Sequence, residues 1–335
     1  MNRTSRNLLL ALVLVTVVIW VLVMFIAAAP QTSQTLPNPN GYDDFLKAAS
    51  LLQGDYGNAP VLDRSGLRVL ISTNAEALHF LRLGLSRPCA LPADAAMTNV
   101  PGMLADLANL KRLAQLLAAE GRLHEMDHEP LAAARSYLDV IRFGNDISRG
   151  GFIINRLVGL ACEGIGNTPL SRLAPKLSPD DGRKVLGELE TIDRAAISWD
   201  EVRRGEGRFL RYQIRQQRFN PFLWVMGWWQ NVRSIKRAEP RHNRVVAREH
   251  LLIAELALCC AKAEHGRMPA TLKELVPPYL QRVPLDPFTG RPLIYRPQAT
   301  NWLLYCVGVD GVDDGGKPVS QGLGAKGDIF YDSPY

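Results

Sequence analysis

From Leu8 to Ala29 the chain reads LLLALVLVTVVIWVLVMFIAAA, 22 residues in which Thr16 is the one polar side chain. A helix of that length rises about 33 Å, enough to cross a bilayer. The run is longer than the apolar region of about 7 to 15 residues in a secretory signal, although Ala27-Ala28-Ala29 would suit a signal peptidase. Arg3 and Arg6 precede it and no Lys or Arg follows until Lys47, so the positive-inside bias puts the amino end in the cytoplasm. The expectation is a single-pass cell-membrane protein: residues 1–7 a cytoplasmic tail, 8–29 a transmembrane anchor in contact with the lipid bilayer, and the bulk of the chain extracytoplasmic. Residues 30–40 (PQTSQTLPNPN) are too rich in Pro, Gln, Ser, Thr and Asn to pack, and read as a linker.

Of the 335 residues, 47% are hydrophobic and 21% charged, which excludes a disordered or fibrous chain. The net charge is +6, and two of those charges stand before the apolar run. No dense basic stripe accompanies the rest, so a nucleic-acid partner is not expected. Five cysteines are too few for a disulfide scaffold. Cys259 and Cys260 are neighbours that point to different faces of a helix. Cys89, Cys162 and Cys306 can pair in an oxidising compartment, or all five can be small buried apolar residues.

Beyond Gly41 the pattern is mainly helical. Helices are expected at 42–52, 66–84, 102–126, 130–147 and 152–165. Asp127-His128-Glu129 followed by Pro130 makes the third and fourth of these an antiparallel hairpin. Its small residues (Ala118, Ala119, Ala132, Ala133, Ala134, with Tyr137) loosely resemble a tetratricopeptide unit, without a second copy at a fixed period. Ser178-Pro179-Asp180-Asp181 caps another helix that reaches Gln217 with a break near Ser198. Residues 41–240 thus form an α-helical domain.

Two segments of that domain hint at chemistry. Phe219 to Trp229 (FNPFLWVMGWW) lies between basic flanks, as a helix in a membrane interface would, with Phe222, Trp224, Trp228 and Trp229 at the headgroups. A buried core helix or an exposed patch for a protein partner satisfies the same composition. His124-Glu125-Met126-Asp127-His128 matches H-E-x-x-H, which on one helix holds zinc between two imidazoles while the Glu activates water. Asp127 and Pro130 argue for solvated turn residues instead, and Glu163 is the one distant third ligand in view. Gly322 to Gly327 has G-x-G-x-x-G spacing without a strand-to-helix context, and in Gly311 to Pro318 a proline replaces the metal-binding hydroxyl of a phosphate loop. No small-molecule substrate is identified.

Residues 241–335 differ in kind. A helix over 243–264 ends at Gly266, Thr271-Leu272-Lys273-Glu274 is a capping box, and Leu293–Arg296 with Trp302–Val307 read as an antiparallel hairpin. A glycine-rich loop then carries Asp310, Asp313 and Asp314, with Asp328 further on. Such a loop either stays solvated or takes a hard cation, calcium outside the cytoplasm.

The succession H-G-R-M-P, T-L-K-E-L-V-P-P-Y-L, V-P-L-D-P-F, G-R-P-L-I-Y, L-Y-C-V-G-V-D-G-V-D-D-G-G and G-D-I, over about residues 243–332, resembles the carboxyl-terminal part of the major pseudopilins of type II secretion systems. That resemblance implies a small α+β lobe in which a long helix packs on an antiparallel sheet and a late loop binds calcium. By position, Asp310 and Asp328 match the family's loop acids best, joined by Asp313 or Asp314. The processed leader and early Glu of a pseudopilin are missing, which argues against a fibre subunit. The resulting expectation is a membrane-anchored, extracytoplasmic, non-enzymatic interaction or scaffold protein with envelope protein partners, associated with a secretion or pilus-like machine. The competing class is a zinc-dependent envelope hydrolase using His124, Glu125 and His128.

Overall fold

The computed structural model of the protein describes residues 35–54, 61–216, 221–298, 301–319 and 326–333, apart from the side chains of 221–225. It begins with four short helices, α1 (Gly41–Ser50), α2 (Arg64–Thr73), α3 (Ala75–Leu85) and α4 (Ala93–Thr98). Their starts are set by local acceptors: the Asn40 side chain takes the Tyr42 N–H at 3.2 Å, and Asp63 takes the Gly66 N–H at 2.8 Å. The apolar pattern over 66–84 predicts one helix, but Asn74 divides it. The Asn74 carboxamide accepts from Gln53 N and donates to Gln53 O at 2.8 and 2.9 Å, pinning the end of α1 to the break.

Three long helices follow, α5 (Val100–Met126), α6 (Pro130–Asp146) and α7 (Ile153–Leu173). The α5–α6 hairpin turns at the polar break before Pro130, as the sequence predicts. α6 and α7 then meet backbone to backbone. A Cβ on Gly159 would lie 2.4 Å from the Gly144 carbonyl oxygen, and one on Gly166 would lie 2.6 Å from that of Tyr137. Any larger residue at these positions would force the helices apart.

α8 (Pro179–Arg194) starts at Ser178, whose hydroxyl accepts the Asp181 N–H at 3.2 Å, and α9 (Trp199–Gln216) begins just past Ser198, where the break was expected. α10 runs for 45 residues, Pro221–His265, with Pro240 inside it. The expected boundary between residues 240 and 241 therefore falls within one helix. The Thr271 capping-box segment is a 3-10 turn, Leu272–Leu275, with the Glu274 carboxylate accepting from Ala270 N at 2.8 Å. Strands β1 (Ile294–Pro297) and β2 (Trp302–Tyr305) pair antiparallel with Ile294 opposite Tyr305 and Pro297 opposite Trp302.

The buried side chains form two main clusters. One gathers α1–α5 with Phe143 and Cys162, and in it Phe45 meets Phe143 edge-on at 4.8 Å. The second joins α6–α8, the Ala247–Ala261 stretch of α10 and Leu272, Leu275, Leu280, Leu293, Leu304, Cys306 and Ile329. The carboxyl-terminal residues thus share a core with the helices. All five cysteines are free thiols, and Cys89, Cys162, Cys260 and Cys306 are buried.

The expected fold class needs correction in one respect. The chain is mainly helical with a small two-stranded sheet, but among the described residues no helix is long and apolar enough to cross a membrane. Residues 8–29, on which the transmembrane helix was expected, lie outside the described residues. The longest described helix shows why none qualifies: α10 carries Arg233, Lys236, Arg237, Arg241, Arg244, Arg248, Glu249 and Glu255, a charge on nearly every turn. The same finding contradicts the single-pass, extracytoplasmic localisation expected from residues 8–29.

Candidate functional site

α5, α7 and α10 point the same way. Arg156 and Glu163 of α7 stand beside His242 and Glu249 of α10, both pairs seven residues apart along their helices. The contact between these helices is a buried polar seam. Arg156, 2% exposed, forks onto Glu163, with Nη1 donating to Oε1 at 2.5 Å and Nη2 to Oε2 at 3.2 Å. Its Nε donates to His242 Nδ1 at 3.1 Å. Burial and the neighbouring Arg156 charge push His242 down to about 3, so its ring is neutral and available as an acceptor.

Glu249 is 3% exposed and faces this pair without a share in the guanidinium, and its Oε1 has no hydrogen-bond partner. Burial, then the carboxylates of Glu163 and Asp193, push its carboxyl well above the ordinary glutamate range, with Arg156 opposing. Burial also raises Glu163, against the pull of Arg156. Of the two acids Glu249 holds the proton, because Arg156 bonds both oxygens of Glu163 and none of Glu249. One face further on, His250 Nε2 donates to Asp193 Oδ1 at 2.9 Å and Nδ1 to Leu285 O at 2.5 Å. Both ring nitrogens meet acceptors, so His250 is an imidazolium. Burial works against that charge, but Asp193 outweighs it and raises the ring above its usual value.

Beside the seam, α7 forms the floor of an open groove walled by α5 and by residues 241–245 of α10, with a volume of about 1210 Å³. Leu157, Leu160, Ala161, Gly164, Ile165 and Thr168 make the floor, and Gln115, Ala118 and Ala119 the α5 wall. The rim is cationic: Arg122 on α5, Arg172 at the end of α7, Lys176 just beyond it, and Arg241 and Arg244 on α10. Glu125 is the one carboxylate in the lining, and it accepts from Tyr137 Oη at 2.5 Å. Burial and then that bond raise the Tyr137 phenol, while Arg172 and Arg122 pull it down, which places both guanidinium groups at this end of the groove. The groove is apolar where it is deep and positive where it is open.

The residues singled out by the sequence fall elsewhere. α5 ends at Met126, and His128 sits beyond it at φ +60°. His124 Nδ1 meets Glu129 at 2.7 Å, and Glu125 is held by Tyr137. The H-E-x-x-H segment is therefore not two imidazoles on one helical face. Trp228 and Trp229 are 53% and 54% exposed on α10, with Arg233 stacked 4.1 Å over the Trp229 ring. The backbone of Phe222 and Trp224 belongs to the same helix, and their side chains lie outside the described residues.

The expected calcium ligands are brought partly together. Asp328, fully buried, accepts from Asp314 N at 3.3 Å and Gly316 N at 2.7 Å. Burial raises its carboxyl, the two N–H groups lower it, and the charges of Asp313 and Asp314 raise it again. Asp313 accepts from Tyr305 Oη and Gly315 N, both at 2.8 Å, while Asp310 is exposed and accepts from Val312 N at 3.3 Å. Asp314 Oδ2 is buried with no hydrogen-bond partner. Among the described residues no group of three or more His, Cys, Asp or Glu is arranged to hold a metal ion.

Sequence reasoning missed the groove and the seam. The available signal was α7 itself, where Gly159 and Gly166 fall within one helix and demand close neighbours. Comparison of the chain with protein families, curated proteins and solved structures finds no match.

Proposed function

We propose that the protein is a non-enzymatic interaction protein that receives a helical segment of a partner in the groove over α7. The observation that carries this reading is the groove itself: three co-directed helices leave a furrow of about 1210 Å³ with an apolar floor, larger than the roughly 300–1,000 Å³ of small-molecule sites. Small side chains at Ala118, Ala161 and Gly164 let another backbone come close, as helix-in-groove recognition requires. The test is selection of peptides from a random display library against the full chain and against Ala161→Trp, an exposed floor position where an indole fills the furrow. Enrichment of peptides with apolar residues at helical spacing, lost on the plugged variant, supports the reading. No enrichment, or peptides indifferent to the plug, overturns it.

A second reading concerns the carboxyl-terminal loop and rests on the likeness to major pseudopilins. Asp314 Oδ2, buried without a partner next to buried Asp328, favours a calcium ion held by Asp314 and Asp328 together with loop carbonyls. Calcium would neutralise the cluster and tie the loop after β2 to the segment around Asp328. A rise in melting temperature with calcium that chelator reverses and Asp328→Asn abolishes supports this. A melting temperature indifferent to both calcium and chelator overturns it.

A further inference from the structure

We propose that the segment received by the groove is an acidic amphipathic helix of about four turns, its apolar stripe on α7 and its carboxylates on the cationic rim. This rests on the groove reading above and adds the partner's chemistry to it. The length follows from the floor: Leu157 to Arg172 spans about 22 Å at 1.5 Å per residue, the rise of some 15 residues of a docked helix.

The charge follows from the cations gathered on the rim, in contrast to several arginines elsewhere that have carboxylate partners. Arg64 and Arg68 bind Asp127, Arg82 binds Glu120, Arg87 binds Asp44, and Arg183 binds Glu264. Arg172, Lys176, Arg241 and Arg244 make no ion pair among the described residues, though they ring one furrow. The Arg244 Nε is buried with no hydrogen-bond partner. The single lining carboxylate, Glu125, is already engaged by Tyr137. A partner with basic flanks would meet five cations and no available acid; one with Asp or Glu beside its apolar stripe would meet a donor on each side.

The test uses the full chain and two fluorescein-labelled synthetic 16-residue helical peptides. They share the same leucine stripe, flanked by Glu in one and by Lys in the other, and binding is followed by fluorescence anisotropy at two salt concentrations. The expected result is at least tenfold tighter binding of the Glu peptide, weakened by salt. Lys176→Glu/Arg241→Glu, both exposed positions, is expected to remove or reverse the preference while the circular dichroism spectrum and melting temperature stay unchanged. Equal binding of both peptides, abolished by Ala161→Trp, overturns the charge inference and leaves the groove reading standing. Binding of neither peptide, or binding only to vesicles of an anionic phospholipid, overturns both.

Discussion

Replacing Glu249 by Gln tests the account of the buried seam. Arg156 commits two nitrogens to Glu163 and the third to His242, so the seam holds two carboxyl groups and one cation. Glu249, without a counter-ion and with Oε1 unpartnered, is protonated in the folded protein at pH values where a glutamate in the unfolded chain is ionised. Its folded pKa lies above the unfolded value, so between the two the native state binds one more proton than the unfolded state. Stability is then lost as pH rises, at about 1.4 kcal/mol per pH unit. The amide of Glu249→Gln has the same shape and does not titrate. Urea unfolding of both proteins from pH 4 to 8 gives the difference in stability at each pH, in which the other titrating groups cancel. The curves should run together near pH 4 and then diverge at about that slope in favour of the variant, until the folded pKa is passed. A constant offset across the range would show that Glu249 is ionised in the fold, and the assignment of the proton would fail.

Three further outcomes are expected. Gly159→Ala gains about 1 kcal/mol of helix propensity but drives a methyl against the Gly144 carbonyl, so a net destabilisation of about 1–3 kcal/mol should appear in the urea midpoint; an unchanged midpoint refutes the close helix crossing. Asp286, 2% exposed, accepts from Phe288 N at 2.8 Å and Val307 N at 3.1 Å; Asp286→Ala strands one buried and one half-buried N–H group and should lower stability by about 2 kcal/mol, measured by thermal and urea unfolding. His250 has its pKa raised by Asp193, so its contribution is fully present below the ordinary histidine value and is lost as pH rises through the folded one. An NMR titration of the imidazole should place its midpoint above about 6.5, and should return it towards that value in Asp193→Asn.

Local signals in the sequence translated well. Ser178 caps α8, Pro130 opens α6, and β1 and β2 pair across the expected loop, because each depends on residues a few positions apart. The division at Asn74 was hidden because its cause is Gln53, 21 residues away. The seam was hidden more deeply: Arg156 and His242 are 86 residues apart, and Glu163 offered only a metal-ligand reading when taken without them. The groove's cations come from α5, α7 and α10, so no window of sequence contains the charge pattern that the folded rim displays. The start of α10 was obscured by Pro240, which the helix carries within it, and by the aromatic run that precedes it.

The length of α10 has a consequence for how the protein can be taken apart. A rod of 45 residues spans about 66 Å, bearing the exposed tryptophans near one end, the groove wall midway and the strand-bearing tail's core contacts beyond. Cutting the chain at residue 240 would halve that rod at the very place where furrow and seam are assembled. Each fragment would be left with an orphaned flank, so the two halves should be expressed together, or with the whole rod assigned to one of them.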